Sequence, residues 1–173
     1  MVTLRLIAMA ALSFLAASGA HATEVKCKGN EAMLTRYLGM FDEVFNGRKL
    51  DRIAEYTSED FQPHDSAPGT PKGHEAIRLL VTNMAKSFPK RKLTNDLIIC
   101  GGDMVVAYQT VEGINDGPLF GGIPATGKSF NFNWIDICRF KYGKVVERWG
   151  AGDALGMMTQ MGFKLTPPSA EAK

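Results

Sequence analysis

The order of its local patterns predicts that this 173-residue chain adopts an α+β fold. Helical periodicity dominates the first half of the chain, and strand-like segments joined by short turns dominate the second half. One short helical segment closes the pattern. Helices gathered before an antiparallel meander are typical of folds in which helices cover one face of a sheet.

Residues 1–22 have the pattern of a secretory signal peptide. Arg5 is followed by an apolar run from Leu6 to Ala17, and small residues then lead to Ala20-His21-Ala22. An apolar run of this length is too short to span a bilayer. We therefore expect cleavage after Ala22, export to the periplasm or the medium, and no membrane attachment of the mature chain.

The mature chain has the composition of one domain. We divide it into an N-terminal extension at 23–30, a domain at 31–163 and a disordered tail at 164–173. The formal net charge is only +2, and the single basic cluster, Lys90-Arg91-Lys92, is too short for a nucleic-acid-binding stripe. We therefore interpret that cluster as a solvated turn and expect no nucleic-acid partner.

Most of the helical patterns of the domain precede Pro89, and most of its strand patterns follow it. Apolar residues recur at three- and four-residue spacing from Glu31 to Asn46, between Asn30 and Gly47 as start and stop signals. Strand-like segments follow Pro89. The predicted helical segments are 31–46, 50–56, 75–87 and 154–161, and the predicted extended segments are 61–64, 93–100, 104–113, 128–141 and 145–151.

The long strand at 128–141 carries large apolar and polar side chains on both of its faces. A strand with one solvated face normally alternates cleanly between apolar and polar residues. We therefore expect helices to cover one face and a second subunit to cover part of the other.

The three cysteines, Cys27, Cys100 and Cys138, all lie in the mature chain. An oxidising compartment favours a disulfide and leaves one thiol over. In a simple meander, one strand separates Cys100 from Cys138 by ~9.6 Å, which exceeds the ~7 Å Cα limit of a disulfide. Cys27–Cys100 is therefore favoured, while Cys27–Cys138 and three reduced thiols remain open.

Acid/base chemistry is the most specific chemistry that the sequence allows. His64 and His74 lack the spacing of metal ligands, and no cofactor motif is present, so we expect neither metal nor cofactor. Asp153 stands in the run WGAGDALGMM after the last strand. In an apolar pocket its pKa would rise towards neutrality, which suits proton transfer, and His64 could stabilise a developing enolate.

Each candidate residue also has a plain structural interpretation. Asp153 directly precedes a helix and is a good N-cap residue. His64 is equally consistent with a surface histidine, and His74 with the first turn of a helix. Aromatic side chains that would bind an apolar ligand are equally consistent with the core; they are Trp149, Trp134, Tyr37 and Phe41.

The chain resembles the SnoaL-like polyketide cyclases, an ester cyclase branch of the nuclear transport factor two-like superfamily, over residues 31–162. The earlier segment EDFQPHDSAPGTPKGHEAI contributes His64 and Gly73. The more specific motifs lie in the second half: Gly122-Ile123-Pro124, Thr126-Gly127-Lys128, Ile135-Asp136-Ile137, Arg139, Gly143 to Glu147, Trp149, Asp153, Gln160 and Gly162.

This resemblance implies a cone-shaped barrel with N-terminal helices packed in the concave face of a curved antiparallel sheet around a hydrophobic pocket. It implies homodimers through the outer sheet face. The residue matching Asp153 is the acid/base of an intramolecular aldol closure that needs no cofactor, and His64 is the candidate pocket histidine. Two positions depart from the family, since Arg148 and Asn115 stand where histidines are common.

Two functions remain open from the sequence. The first is an exported, cofactor-free enzyme that uses acid/base chemistry on a small, apolar carbonyl or ester compound. The second is a non-catalytic binding module that uses the same pocket. A dimeric scaffold with a filled pocket would be a third, and a structure separates it from the others.

Overall fold

The computed structural model describes residues 23–164 and 166. The expected signal peptide at 1–22 therefore lies outside the described residues, as does most of the expected tail. The α+β prediction is confirmed, because helices pack against one face of a curved six-stranded sheet. Among the described residues, no helix is long and apolar enough to cross a membrane.

Helical segments occupy the predicted parts of the chain. The first predicted helix is an α-helix that continues as a π-helix, whose last turn includes a bond from Gly47 N to Asp42 O of 2.9 Å. The helices are α1 (Glu31–Gly39), the π-helix (Met40–Asn46), a 3-10 turn (Leu50–Arg52), α2 (Ile53–Tyr56), α3 (Gly73–Ser87), a second 3-10 turn (Phe120–Gly122) and α4 (Ala154–Gln160).

The predicted meander forms the centre of the sheet, and two further strands extend it. The strands are β1 (Glu24–Lys26), β2 (Thr57–Pro63), β3 (Lys92–Gly101), β4 (Met104–Ile114), β5 (Ser129–Lys141) and β6 (Lys144–Gly152). Their order is β1-β3-β4-β5-β6-β2. Because β1 and β2 pair in parallel with their neighbours, the sheet is mixed and differs from the all-antiparallel sheet that we expected.

The concave face of the sheet carries the core. Side chains at alternate positions point towards the helices and are fully buried, among them Ile98, Val105, Ala107 and Cys138. The π-helix packs Phe41 against these strands. The period-2 alternation of a strand therefore places one half of each strand's residues in the core and the other half on the convex face.

A β-bulge near the start of β6 decides which of its residues point inward. Phe140 pairs with Val145, but the next residue of β5, Arg139, pairs with Glu147. Two residues of β6 thus oppose one residue of β5, and the alternation shifts by one position. Val145 and Arg148 both face the concave side as a result.

A disulfide joins Cys27 to Cys100, the pairing that the sequence favoured. It lies next to the contact between β1 and β3 and ties residues that are 73 positions apart. Cys138 is the remaining thiol and is buried. The expected N-terminal extension is therefore part of the sheet and is held there covalently.

Candidate active site

A cavity of about 620 Å³ lies between the concave face of the sheet and the helices. Its volume is within the range of ligand pockets in proteins. Seven aromatic side chains contribute to its wall: Phe41, Phe45, Phe61, Phe88, Phe130, Phe132 and Trp134. The cavity is therefore open, and a scaffold with a filled pocket does not describe this chain.

Flexible apolar side chains form the side of the cavity near α4. Met157, Met158 and Met161 line it, and methionine side chains adapt easily to irregular partners. Leu79 and Ile123 line the same cavity while being 40% and 43% exposed. These two residues thus mark the side on which the cavity meets solvent.

The polar end of the cavity is formed by Asp65 and Arg148. Arg148 Nη1 donates to Asp65 Oδ2 at 2.9 Å. The side chain of Asp65 is only 13% exposed, and that of Arg148 is 11% exposed. Asp65 follows β2 and Arg148 lies on β6, so the parallel pairing of these strands brings the two side chains together.

Behind this pair lies a second carboxylate, Asp136, which is fully buried. Arg148 Nε donates to Asp136 Oδ1 at 2.6 Å, and Tyr37 Oη donates to Asp136 Oδ2 at 3.2 Å. Cys138 Sγ lies 3.4 Å from the same oxygen. Burial raises the pKa of Tyr37 and of Cys138, and the neighbouring Asp136 raises each pKa further, so both groups remain neutral donors.

Arg148 remains charged although it is buried. Burial by itself lowers its pKa, but the carboxylates of Asp136 and Asp65 outweigh that effect. The pKa of Arg148 therefore lies above its ordinary value. One guanidinium thus holds two carboxylates, one in the core and one at the cavity.

Trp134 lines the cavity because two glycines on the adjacent strand leave room for its indole ring. A Cβ on Gly150 would lie 2.8 Å from Trp134 Cε2 and 2.7 Å from Asp65 Oδ2. A Cβ on Gly152 would lie 2.5 Å from Trp134 Cε3. The glycines of the WGAGD segment therefore bring the indole and the Asp65 carboxylate to the same part of the wall.

A sequence profile of the SnoaL-like polyketide cyclases matches residues 35–161. This chain belongs to that family. The resemblance found in the sequence is thereby confirmed. A comparison with curated proteins gave no match.

Several solved structures resemble this SnoaL-like chain. IdmH from Streptomyces antibioticus, a proposed polyketide cyclase, is 27% identical with a TM-score of 0.65, over 76% of this chain and 99% of its own. A proposed polyketide cyclase from Bacillus cereus is 24% identical with a TM-score of 0.67, over 82% and 91% of the two chains.

A third similar structure is a proposed SnoaL-like polyketide cyclase from a Jannaschia species. It is 21% identical with a TM-score of 0.70, over 78% of this chain and 94% of its own. Together these similarities confirm the α+β fold, with helices packed against a curved sheet.

The structure of this SnoaL-like chain separates the aromatic residues proposed from the sequence. Phe41 and Trp134 line the cavity. Tyr37 does not line it, because its side chain is fully buried behind the wall and bonded to Asp136. Gln109 Nε2 donates to Tyr37 Oη at 3.2 Å, so Tyr37 belongs to the polar network of the core.

His64 and Trp149 lie on the convex face of the sheet, away from the cavity. Their rings stack at 4.5 Å with an interplanar angle of 2°, and His64 Nε2 lies 3.1 Å from Glu147 Oε1. Glu147 and Trp149 share this outer face of β6 because of the bulge. Arg148, between them, points inward.

Asp153 and His74 occupy the structural positions that the sequence left open for them. Asp153 is exposed, and its carboxylate caps α4 by accepting from Gly156 N at 2.7 Å. It does not line the cavity, although its neighbour Ala154 does. His74 lies in the first turn of α3 with Nε2 3.1 Å from Thr57 O.

Sequence reasoning did not select the polar residues that do line the cavity. Asp65 follows His64 in a loop rich in proline and glycine, where an acidic residue is ordinary. Arg148 was noted only as a departure from the family. Among the described residues, no group of three His, Cys, Asp or Glu side chains is placed to hold a metal ion.

Replacing Arg148 with methionine should destabilise the protein strongly. The buried Asp136 would lose its cationic partner, and such a loss typically costs about 3–5 kcal/mol in the free energy of unfolding. Arg139→Met is the matched control, because Arg139 pairs with Glu147 on the exposed face. The control should lose less than about 1 kcal/mol. Urea unfolding measures both, and equal losses would contradict the role of Arg148.

Gly150→Ala should also destabilise the protein, because the added methyl group would collide with Trp134 and Asp65. Overpacking of this kind costs about 1–3 kcal/mol. Gly101→Ala is the control, since a Cβ there meets nothing within 4 Å. Urea unfolding and the position of the Trp134 indole NMR signal report the effect. An unchanged signal and stability in Gly150→Ala would show that the wall adapts freely.

Proposed function

We propose that this SnoaL-like protein is an enzyme that uses acid/base chemistry, without a cofactor, on a small apolar carbonyl or ester compound. One observation carries the proposal: a carboxylate, Asp65, reaches a largely apolar cavity and is held there by a buried guanidinium. A binding module for apolar compounds has no need of an ion pair in its wall, since desolvating charges costs free energy.

The proposed step begins at a carbon next to the carbonyl group of the ligand. Asp65 takes a proton from that carbon, the electron pair of the C–H bond forms a C=C bond, and the π pair of the carbonyl group moves to its oxygen. The guanidinium of Arg148 has further N–H groups besides those that bind Asp136 and Asp65, and these stabilise the enolate oxygen. The enolate then attacks a second carbonyl carbon or is reprotonated at another position, and Asp65 returns its proton.

The rest of the cavity suits the body of such a ligand. Aromatic side chains and the methionines of α4 provide apolar contact. The volume of about 620 Å³ accommodates a compound of several fused rings. The similarity to IdmH and to the Bacillus cereus protein, both proposed polyketide cyclases, supports a substrate of this kind.

Asp65→Asn should abolish catalysis while leaving ligand binding intact. A positioned general base contributes about 10²- to 10⁴-fold to a rate. The assay for catalysis follows loss of the α-proton NMR signals of 2-tetralone in D₂O. Binding of 2-tetralone is measured separately in H₂O, from the shift of the Trp134 indole signal. The wild-type protein should accelerate exchange, and Asp65→Asn should lose at least about a hundredfold of that acceleration.

Asp153→Asn is the matched control for this experiment. It makes the same chemical change at the carboxylate that caps α4, and asparagine is as good an N-cap as aspartate. The control should keep both its rate and its stability. Loss of exchange in Asp153→Asn alone would instead favour the acid/base assignment that the family resemblance implies. Binding of 2-tetralone without any exchange would favour the non-catalytic binding module.

We further propose that two copies of the chain associate through the convex face of the sheet. Three large side chains from the adjacent strands β3, β4 and β5 are 42–44% exposed there: Ile99, Tyr108 and Ile135. Apolar side chains spread over neighbouring strands are typical of an interaction surface. A second copy presents the same surface and would bury both by twofold symmetry.

Tyr108→Lys should convert a dimer into a monomer, because it would place a charge within the apolar face. Tyr142→Lys is the control, since Tyr142 lies in a turn and is 94% exposed. Sedimentation equilibrium should give twice the chain mass for the wild type and the control. A monomeric wild type, or a dimeric Tyr108→Lys, would contradict the proposed interface.

Export of the chain is also a proposal. It is supported by the signal-like pattern of residues 1–22 and by the Cys27–Cys100 disulfide, since disulfides persist mainly in oxidising compartments. An exported enzyme needs a substrate outside the cytoplasm. The natural compound should therefore be sought in the periplasm or the medium.

A further inference from the structure

Arg91 is a second guanidinium in the wall of the cavity. It belongs to the basic cluster Lys90-Arg91-Lys92, which the sequence suggested was a solvated turn. A backbone bond from Arg91 N to Phe88 O of 3.0 Å forms that turn. Lys90 reaches outward to Asp116 at 3.2 Å and Lys92 is exposed, but Arg91 lines the cavity.

The surroundings of Arg91 contain no countercharge among the described residues. Its Nη2 donates to the carbonyl oxygen of Phe45 at 3.2 Å, and no described carboxylate lies within ion-pair distance. The carboxylates of Asp65 and Asp136 are both held by Arg148. Burial, together with the like charges of Arg48 and Arg148, lowers the pKa of Arg91 to about 10. Arg91 is nevertheless a cation at neutral pH.

We propose that Arg91 is a binding subsite for a carboxylate of the ligand. The ligand would then be an apolar oxo acid, with its reacting carbonyl near Asp65 and Arg148 and its carboxylate on Arg91. This inference rests on the proposed function, because it adds a second recognition group to the same cavity. Arginine is well suited to the role, since its planar guanidinium can donate two parallel hydrogen bonds to one carboxylate.

Arg91 keeps most of its hydrogen-bond donors free for a ligand, because its side chain forms only one hydrogen bond among the described residues, to Phe45. It uses one N–H group at the end of the π-helix, where a cation is favourable. A guanidinium has five N–H donors, so most of its capacity is left for another acceptor. An apolar wall makes an ion pair formed there stronger than one formed in water.

Two nearly isosteric probes test the subsite: 2-naphthylacetate, which is anionic, and 2-naphthylacetamide, which is neutral. The chain has two tryptophans, Trp134 in the cavity wall and Trp149 on the convex face. Their indole ¹H–¹⁵N signals, assigned with a Trp149→Phe variant, report binding in the cavity and provide an internal control. The wild type should bind the acid about tenfold or more tightly than the amide, with a shift at Trp134 alone.

Arg91→Met should bind the acid no more tightly than the amide, while its affinity for the amide stays unchanged. Lys92→Met is the matched control, because it removes the same charge from the neighbouring exposed residue and should keep the preference for the acid. Equal affinity of the wild type for both probes would overturn the inference without any variant. A preference for the acid that survives in Arg91→Met would overturn it as well.

The outcomes also separate this inference from the proposed function. If 2-tetralone exchange proceeds but the acid is not preferred, only the carboxylate subsite fails. If the acid is preferred through Arg91 but no exchange is catalysed, the subsite stands and the proposed catalysis fails. If neither probe shifts the Trp134 signal, the cavity is not a ligand site and both proposals fall.

Discussion

The buried ion pair between Arg148 and Asp136 is the interaction on which the rest of the site depends. A carboxylate without exposure is tolerated in the core only when a cation and further donors compensate it. Arg148 supplies the cation, and Tyr37 and Cys138 supply neutral donors. Since the same guanidinium also holds Asp65, the stability of the core and the position of the cavity carboxylate are linked.

Backbone irregularities on β6 make this arrangement possible. The bulge turns Arg148 towards the core and leaves Trp149 on the convex face with His64. Gly150 and Gly152 then leave the space that Trp134 fills from β5. The segment from Arg148 to Gly152 therefore places the guanidinium in the cavity wall, leaves room for Trp134 and puts Trp149 on the outer face of the sheet.

Much of the fold could be predicted from the sequence, but only part of the candidate site could. Helix and strand positions followed from local periodicity, and strand spacing favoured the Cys27–Cys100 disulfide without excluding the alternatives. Asp153 and His64 were selected because they were the conspicuous polar residues near aromatic ones. Which face of β6 points inward depends on a one-residue bulge, and no period-2 pattern reveals that shift.

The sequence by itself determined the α+β class, the family and the order of the elements, because these depend on local patterns and short motifs. Only the tertiary structure decided that Asp65, Arg148 and Arg91 meet at one cavity. These residues come from a loop, a strand and a turn that are far apart in the chain, and their side chains converge because the strand pairing and the bulge place them on the same concave face.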